Sequence, residues 1–123
     1  WYGTPRTFIA KSLKAGRDVL LDIDVQGGEK IRNLFSDAVL VFIAPPSLEV
    51  LESRLRERGQ DDEETIQRRF QAARDELDAA VSYDYLVTND EIRRAVEDLR
   101  CVLVAERLRT RRACHSLLER VTI

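Results

Sequence analysis

Three short apolar runs set the limits on what this chain can fold into: residues 18–24 (DVLLDID), 38–44 (AVLVFIA) and 85–90 (YLVTND). Each has the length of a buried strand rather than of a core helix. The stretches between them carry apolar residues at helical spacing. Thr4 before Pro5 predicts a helix start, with Phe8, Ile9 and Leu13 recurring near helical spacing and Gly16 at its end. Residues 26–34 leave room for a short helix, Pro45 and Pro46 end the second strand, and Ser47 caps a helix bearing Leu48, Leu51 and Leu55. Ile66, Phe70, Ala73 and Leu77 then mark one face of a long helix that Asp61 starts, with Glu64 as the reciprocal cap. Ile92, Ala95, Leu99 and Val102 mark a last helix. Strands alternating with helices predict an α/β fold, a mainly parallel sheet flanked by helices, with ligands at the carboxyl ends of the strands.

A length of 123 residues with 44% hydrophobic and 34% charged residues suits one soluble domain. Twenty Lys and Arg against 22 Asp and Glu give a net charge of −2, so no global basic field points to nucleic acid or an anionic membrane. Any cationic function is local. Cys101 and Cys114 form no CxxC and no ligand cluster, which fits a reducing, cytoplasmic setting better than a zinc site or a disulfide framework. Neither a membrane-length apolar run nor a leader pattern is expected. The opening, Trp1 followed by YGTPRTF, reads as the interior of a longer structure.

Chemistry concentrates in a few places. Asp22 and Asp24 end the first apolar run, and at period two both point to one side, where carboxylates orient a metal's water shell or accept donors from a base; a strand ending in solvated acids is the ordinary alternative. Residues 53–70 (SRLRERGQDDEETIQRRF) hold five arginines. Arg54 and Arg58 lie four apart, a spacing at which like charges repel by a few tenths of a kcal/mol. Arg68 and Arg69 return on the next helix. A solvated helical hairpin, its acids answering its arginines, is the ordinary explanation. The functional one is an anion clamp, since guanidinium forks match phosphate oxygens. Tyr2 and Thr4 offer hydroxyls, Asn89 ends a strand on the ligand side, His115 reads as surface and Cys101 as a core thiol.

Taken in order, YGTP, DVLLDIDVQG, VFIAPPS, LESRLRERGQDDEETIQRR, YDYLVTND and AERLR resemble the guanylate kinase family, over nearly the whole chain. The resemblance implies a P-loop NTPase-like core, a GMP-binding subdomain ending near residues 1–4, and a lid near 54–69, all within one incomplete domain spanning 1–123. It implies transfer of the ATP γ-phosphate to GMP, with Mg²⁺ accompanying ATP. Tyr2 matches the tyrosine that holds the GMP phosphate, and Thr4 the hydroxyl that contacts guanine. Asp22 and Asp24 match paired acids near GMP. Arg54 and Arg58 match lid-side arginines on phosphates, with Arg58 also on ATP, and Arg69 the arginine that bridges donor and acceptor. Asn89 matches a position near the ATP adenine. Arg56 and Arg68 match no role. No G-x-x-x-x-G-K-[ST] occurs, so the donor-phosphate cradle is absent from these residues, and the chain alone is expected to be inactive. A catalytically silent protein-interaction domain of the same fold and another nucleoside monophosphate kinase are the alternatives.

Overall fold

Val41, Phe42 and Ile43 are β-branched or aromatic residues that fit a pleated, half-buried surface, and they form strand β1 (Val41–Ala44). It pairs in parallel with β2 (Tyr85–Thr88), in the register Val41 to Tyr85 through Ala44 to Thr88. The structure, a computed structural model, describes residues 5–113. Around these strands, in chain order, lie the helices α1 (Arg6–Lys14), α2 (Val25–Leu34), α3 (Leu48–Glu57), α4 (Glu63–Ala79) and α5 (Ile92–Arg107), with a short 3₁₀ turn at Ala80–Ser82. Helices flanking a parallel sheet are thus the architecture that the alternating pattern predicts.

The helix boundaries follow local chemistry. The Ser47 side chain accepts a hydrogen bond from Val50 N at the start of α3, and Asp24 accepts one from Gly27 N at the start of α2. Gly16, at φ 74°, takes the left-handed turn after α1 that a side chain would disfavour. The start of α4 falls one residue later than expected: Asp62, not Asp61, accepts from Thr65 N at 2.8 Å. Consecutive aspartates make the two registers equivalent in sequence, and the carboxylate that meets a free amide becomes the cap. Pro5 occupies the cap position of α1 without a side-chain bond, and Thr4 lies outside the described residues.

Residues 18–24 depart from the expected strand. They pair with neither β1 nor β2, and Leu20 is 93% exposed. An apolar run becomes a strand only where a neighbour completes its ladder, and among the described residues none lies beside this one. Its ends are nonetheless fixed, Asp18 by Arg107 Nε at 2.9 Å and Asp24 by its capping bond.

The core is small: Ile9, Phe42, Ala44, Ile66, Val87 and Ala95 are its buried apolar members. Phe42 meets Tyr83 edge to face, with ring centroids 5.3 Å apart. Tyr83 in turn lies so close to α2 that a Cβ on Gly28 would stand 2.9 Å from its hydroxyl, which is why that helix position has no side chain. In α5, Ala95 is buried and Leu99 and Val102 half-buried as expected, but Ile92 is 70% exposed and Cys101 is exposed rather than in the core. Helical spacing locates a stripe; the layer packed against it decides how far the stripe is covered.

At the amino-terminal end of β2, Tyr85 donates to buried Glu106 Oε1 at 2.8 Å, and Arg109 pairs with the same oxygen at 3.2 Å. Arg112 Nε stands 3.6 Å from Glu106 Oε2, neither atom having a hydrogen bond. Asp84 accepts from Leu40 N at 2.8 Å and pairs with Arg32, so the approaches to both strands are tied together. The α3–α4 hairpin carries a second network on its surface. Arg56 Nη2 donates to Glu52 at 2.9 Å and to Glu63 at 2.8 Å. The Arg56 guanidinium, together with the Gln67 amide, holds the Glu63 carboxyl down at about 2.

Two outcomes follow from these networks. Glu106→Ala strips the acceptor from Tyr85 and the counter-charge from two arginines in a largely buried setting, and lowers unfolding free energy by about 3 kcal/mol, read by urea denaturation. The folded Glu63 pKa lies below its ordinary value of 4.5. Its stabilisation is therefore complete above about pH 4.5 and disappears as pH falls toward 2. Glu63→Gln flattens that acid-side decline in melting temperature while the wild type shows it.

Candidate functional site

Parallel strands release their backbone carbonyls and following loops at one end, and here that end is formed by Ala44, Pro45, Thr88 and Asn89. Asn89 N donates to Ala44 O at 2.7 Å, extending the pairing one residue past the strands. The turn that follows is then gripped from α3. Arg54 Nη1 donates to Asn89 O at 2.8 Å and its Nη2 to Asp90 O at 3.3 Å. One guanidinium thus spans two successive carbonyls, fixing the hairpin against the strand end. Two candidates separated by thirty-five positions meet in this contact.

The other arginines of the hairpin are placed differently. Arg58 ends α3 and is exposed, one residue before Gly59, whose φ of 65° makes the sharp turn. Arg69 is 51% exposed on α4 and pairs with Asp61 at 2.8 Å through Nη1. Arg54, Arg58 and Arg69 therefore share no partner in this conformation. Arg56 is held by two carboxylates, and Arg68 reaches Thr65 Oγ1 at 3.3 Å, both as surface charges. The acids of the turn divide the same way, with Asp62 capping α4, Glu63 on Arg56 and Asp61 on Arg69. Of the five hairpin arginines, Arg56 and Arg69 are thus the ones with carboxylate partners among the described residues.

Of the paired acids, Asp24 is committed to the α2 cap, and Asp22 is exposed with no ion pair among the described residues. Residues 18–24, which hold both acids, are not a strand, so the two carboxylates do not stand at a strand end. Tyr2, Thr4 and His115 lie outside the described residues. A cavity of about 370 Å³ lies at the opposite end of the strands, lined by Arg32, Asp84, Glu106 and Arg109 among others. Arg32 pairs there with Asp84, and Arg109 with Glu106, which fastens the start of the sheet to the end of α5. Glu106 itself went unread in the sequence, where AERLR gives a charged helix end with no hint of burial. A glutamate followed at three and six positions by arginines was the available signal.

A family model described as guanylate kinase matches residues 1–106. The guanylate kinase of Nitrosospira multiformis is 48% identical over 99% of this chain and 60% of its own length. That of Chromobacterium violaceum is 50% identical over 96% of this chain and 56% of its own. The crystal structure of guanylate kinase from Anaplasma phagocytophilum superimposes with a TM-score of 0.72 at 30% identity, covering 95% of this chain and 57% of that one. The chain thus spans between about half and three fifths of the length of the curated relatives it matches, 60%, 54% and 56% for three of them. A family match across most of the chain, relatives at about half identity and a shared parallel α/β architecture converge on one assignment: the chain belongs to the guanylate kinase family.

Proposed function

We propose that this chain forms the lid and carboxyl-terminal part of an ATP:GMP phosphotransferase acting in the cytoplasm. Family membership supports the activity, and the Arg54 fork onto the Asn89 turn is the structural observation that carries it. It ties an arginine-bearing hairpin to the strand end where nucleotides bind in folds of this type. Within one domain, residues 54–69 act as the lid, with Gly59 in its turn.

The reaction is in-line: an oxygen of the GMP phosphate attacks the γ-phosphorus of ATP while the bond to the leaving ADP oxygen breaks. Negative charge spreads over the transferring group, and positioned cations stabilise it. Arg69 bridges donor and acceptor, Arg58 meets the ATP phosphates, and Arg54 keeps the hairpin registered on the Asn89 turn beside the adenine. Tyr2 holds the GMP phosphate, Thr4 reads the guanine, and Asp22 and Asp24 border the GMP side. Among the described residues no three carboxylate, histidine or cysteine side chains converge. Mg²⁺ would arrive on ATP, with most of its ligands from phosphate and water, and exposed Asp22 is a residue here that could accept from its waters. When bound, the ion neutralises charge on the β- and γ-oxygens. Closure of the hairpin excludes water and so suppresses ATP hydrolysis.

Two substitutions in a complete guanylate kinase carrying this chain test the assignment. Arg69→Ala slows turnover about 10³-fold or more, ~4 kcal/mol of transition-state stabilisation. Its half-exposed pair with Asp61 accounts for no more than about 0–1 kcal/mol of stability. Wild-type turnover in that variant removes the clamp and leaves a binding domain. Thr4→Ala raises Kd for GMP and leaves Kd for ATP within about twofold, a small change beside the tenfold that accompanies 1.4 kcal/mol; equal losses for both nucleotides contradict a guanine-reading hydroxyl.

A further inference from the structure

The hairpin arginines differ in how completely they are used. Arg56 is saturated: Nε and Nη2 donate to Glu52, and both terminal nitrogens donate to Glu63. Arg69 is held on one side, through Nη1 to Asp61 Oδ2 at 2.8 Å, which leaves its Nε–Nη2 edge without a partner among the described residues. That free edge is the one with the paired, parallel donors that a phosphate takes. Asp61 is the inner member of the pair, its side chain 20% exposed against 51% for Arg69. Eight positions separate them, so helical neighbour spacing does not account for the contact; the turn after Gly59 folds back to bring it about. Nor does the aspartate serve the helix, because Asp62 supplies the cap.

We infer that Asp61 is a positioning residue for Arg69: it holds the guanidinium by one terminal nitrogen and presents the opposite edge to the phosphoryl group. The inference rests on the proposed phosphate role of Arg69. Arginine loses rotamer freedom when a ligand orders it, and a carboxylate that orders it beforehand lowers that cost at the moment of reaction. A single carboxylate on one nitrogen also leaves the cation with charge to give, which the doubly paired Arg56 lacks.

The test uses steady-state kinetics and melting temperature of a complete guanylate kinase carrying this chain. Asp61→Asn keeps the shape and removes the charge. Expected are a fall in kcat of about tenfold or more, as for a misplaced catalytic contact, KM for GMP and ATP within about twofold, and a melting temperature close to wild type. Asp61→Glu restores most of the lost kcat. In the Arg69→Ala background, Asp61→Asn costs nothing further, because there is no guanidinium left to position. Wild-type kcat in Asp61→Asn beside a strongly impaired Arg69→Ala overturns the positioning role and leaves the clamp standing. Losses that multiply in the double variant also overturn it, placing Asp61 elsewhere in the mechanism. Wild-type kcat in Arg69→Ala overturns both.

Discussion

The parallel pairing of β1 with β2 is the contact from which the rest of the molecule takes its geometry. Parallel strands need a crossover between them, and here the crossover consists of α3, α4 and the 3₁₀ turn, so one ladder fixes both ends of the hairpin. Leu40 O accepts from the backbone of Asp84 and Tyr85 where the strands begin, and Ala44 O accepts from Asn89 N where they end. The register set by these bonds brings the Asn89 and Asp90 carbonyls within reach of Arg54. It also sets Tyr85 over Glu106, and so fastens α5 to the same strand.

The two ends of the strands carry charge of different kinds. At the amino-terminal end, Arg32 pairs with Asp84, and Arg109 and Arg112 with Glu106, beside a cavity, and the effect of these pairs is on stability. On the hairpin beside the carboxyl end, Arg58 is exposed and Arg69 is only half covered, each with donors to spare. This asymmetry, rather than the number of arginines, separates cations available to a ligand from cations already answered. It also gives the acidic turn a second purpose beyond balancing charge, since Asp61, Asp62 and Glu63 each have a distinct partner.

Much of the fold was legible because it rests on short-range rules. Alternation of apolar runs with helical stripes sets the α/β class, Ser47 and Gly16 act where their chemistry predicts, and the motif order carries the family. Illegible features depend on what lies alongside. Residues 18–24 have a strand's composition without a ladder neighbour among the described residues, and Cys101 and Ile92 sit on a helix whose outer side meets solvent. Asp61 and Asp62 are interchangeable in sequence, and the turn alone assigns one to a helix amide and the other to Arg69.

By itself, then, the sequence determined the class of fold and the family, because periodicity, caps and motif order are local properties. Tertiary structure decided which arginines are spent on neighbours, which carbonyls Arg54 grips and which glutamate is buried. Those outcomes depend on groups distant in the chain, such as Arg56 and Glu63 at 7 positions, Arg54 and Asp90 at 36 and Arg107 and Asp18 at 89. Only the folded path of the chain brings such groups within the length of a hydrogen bond.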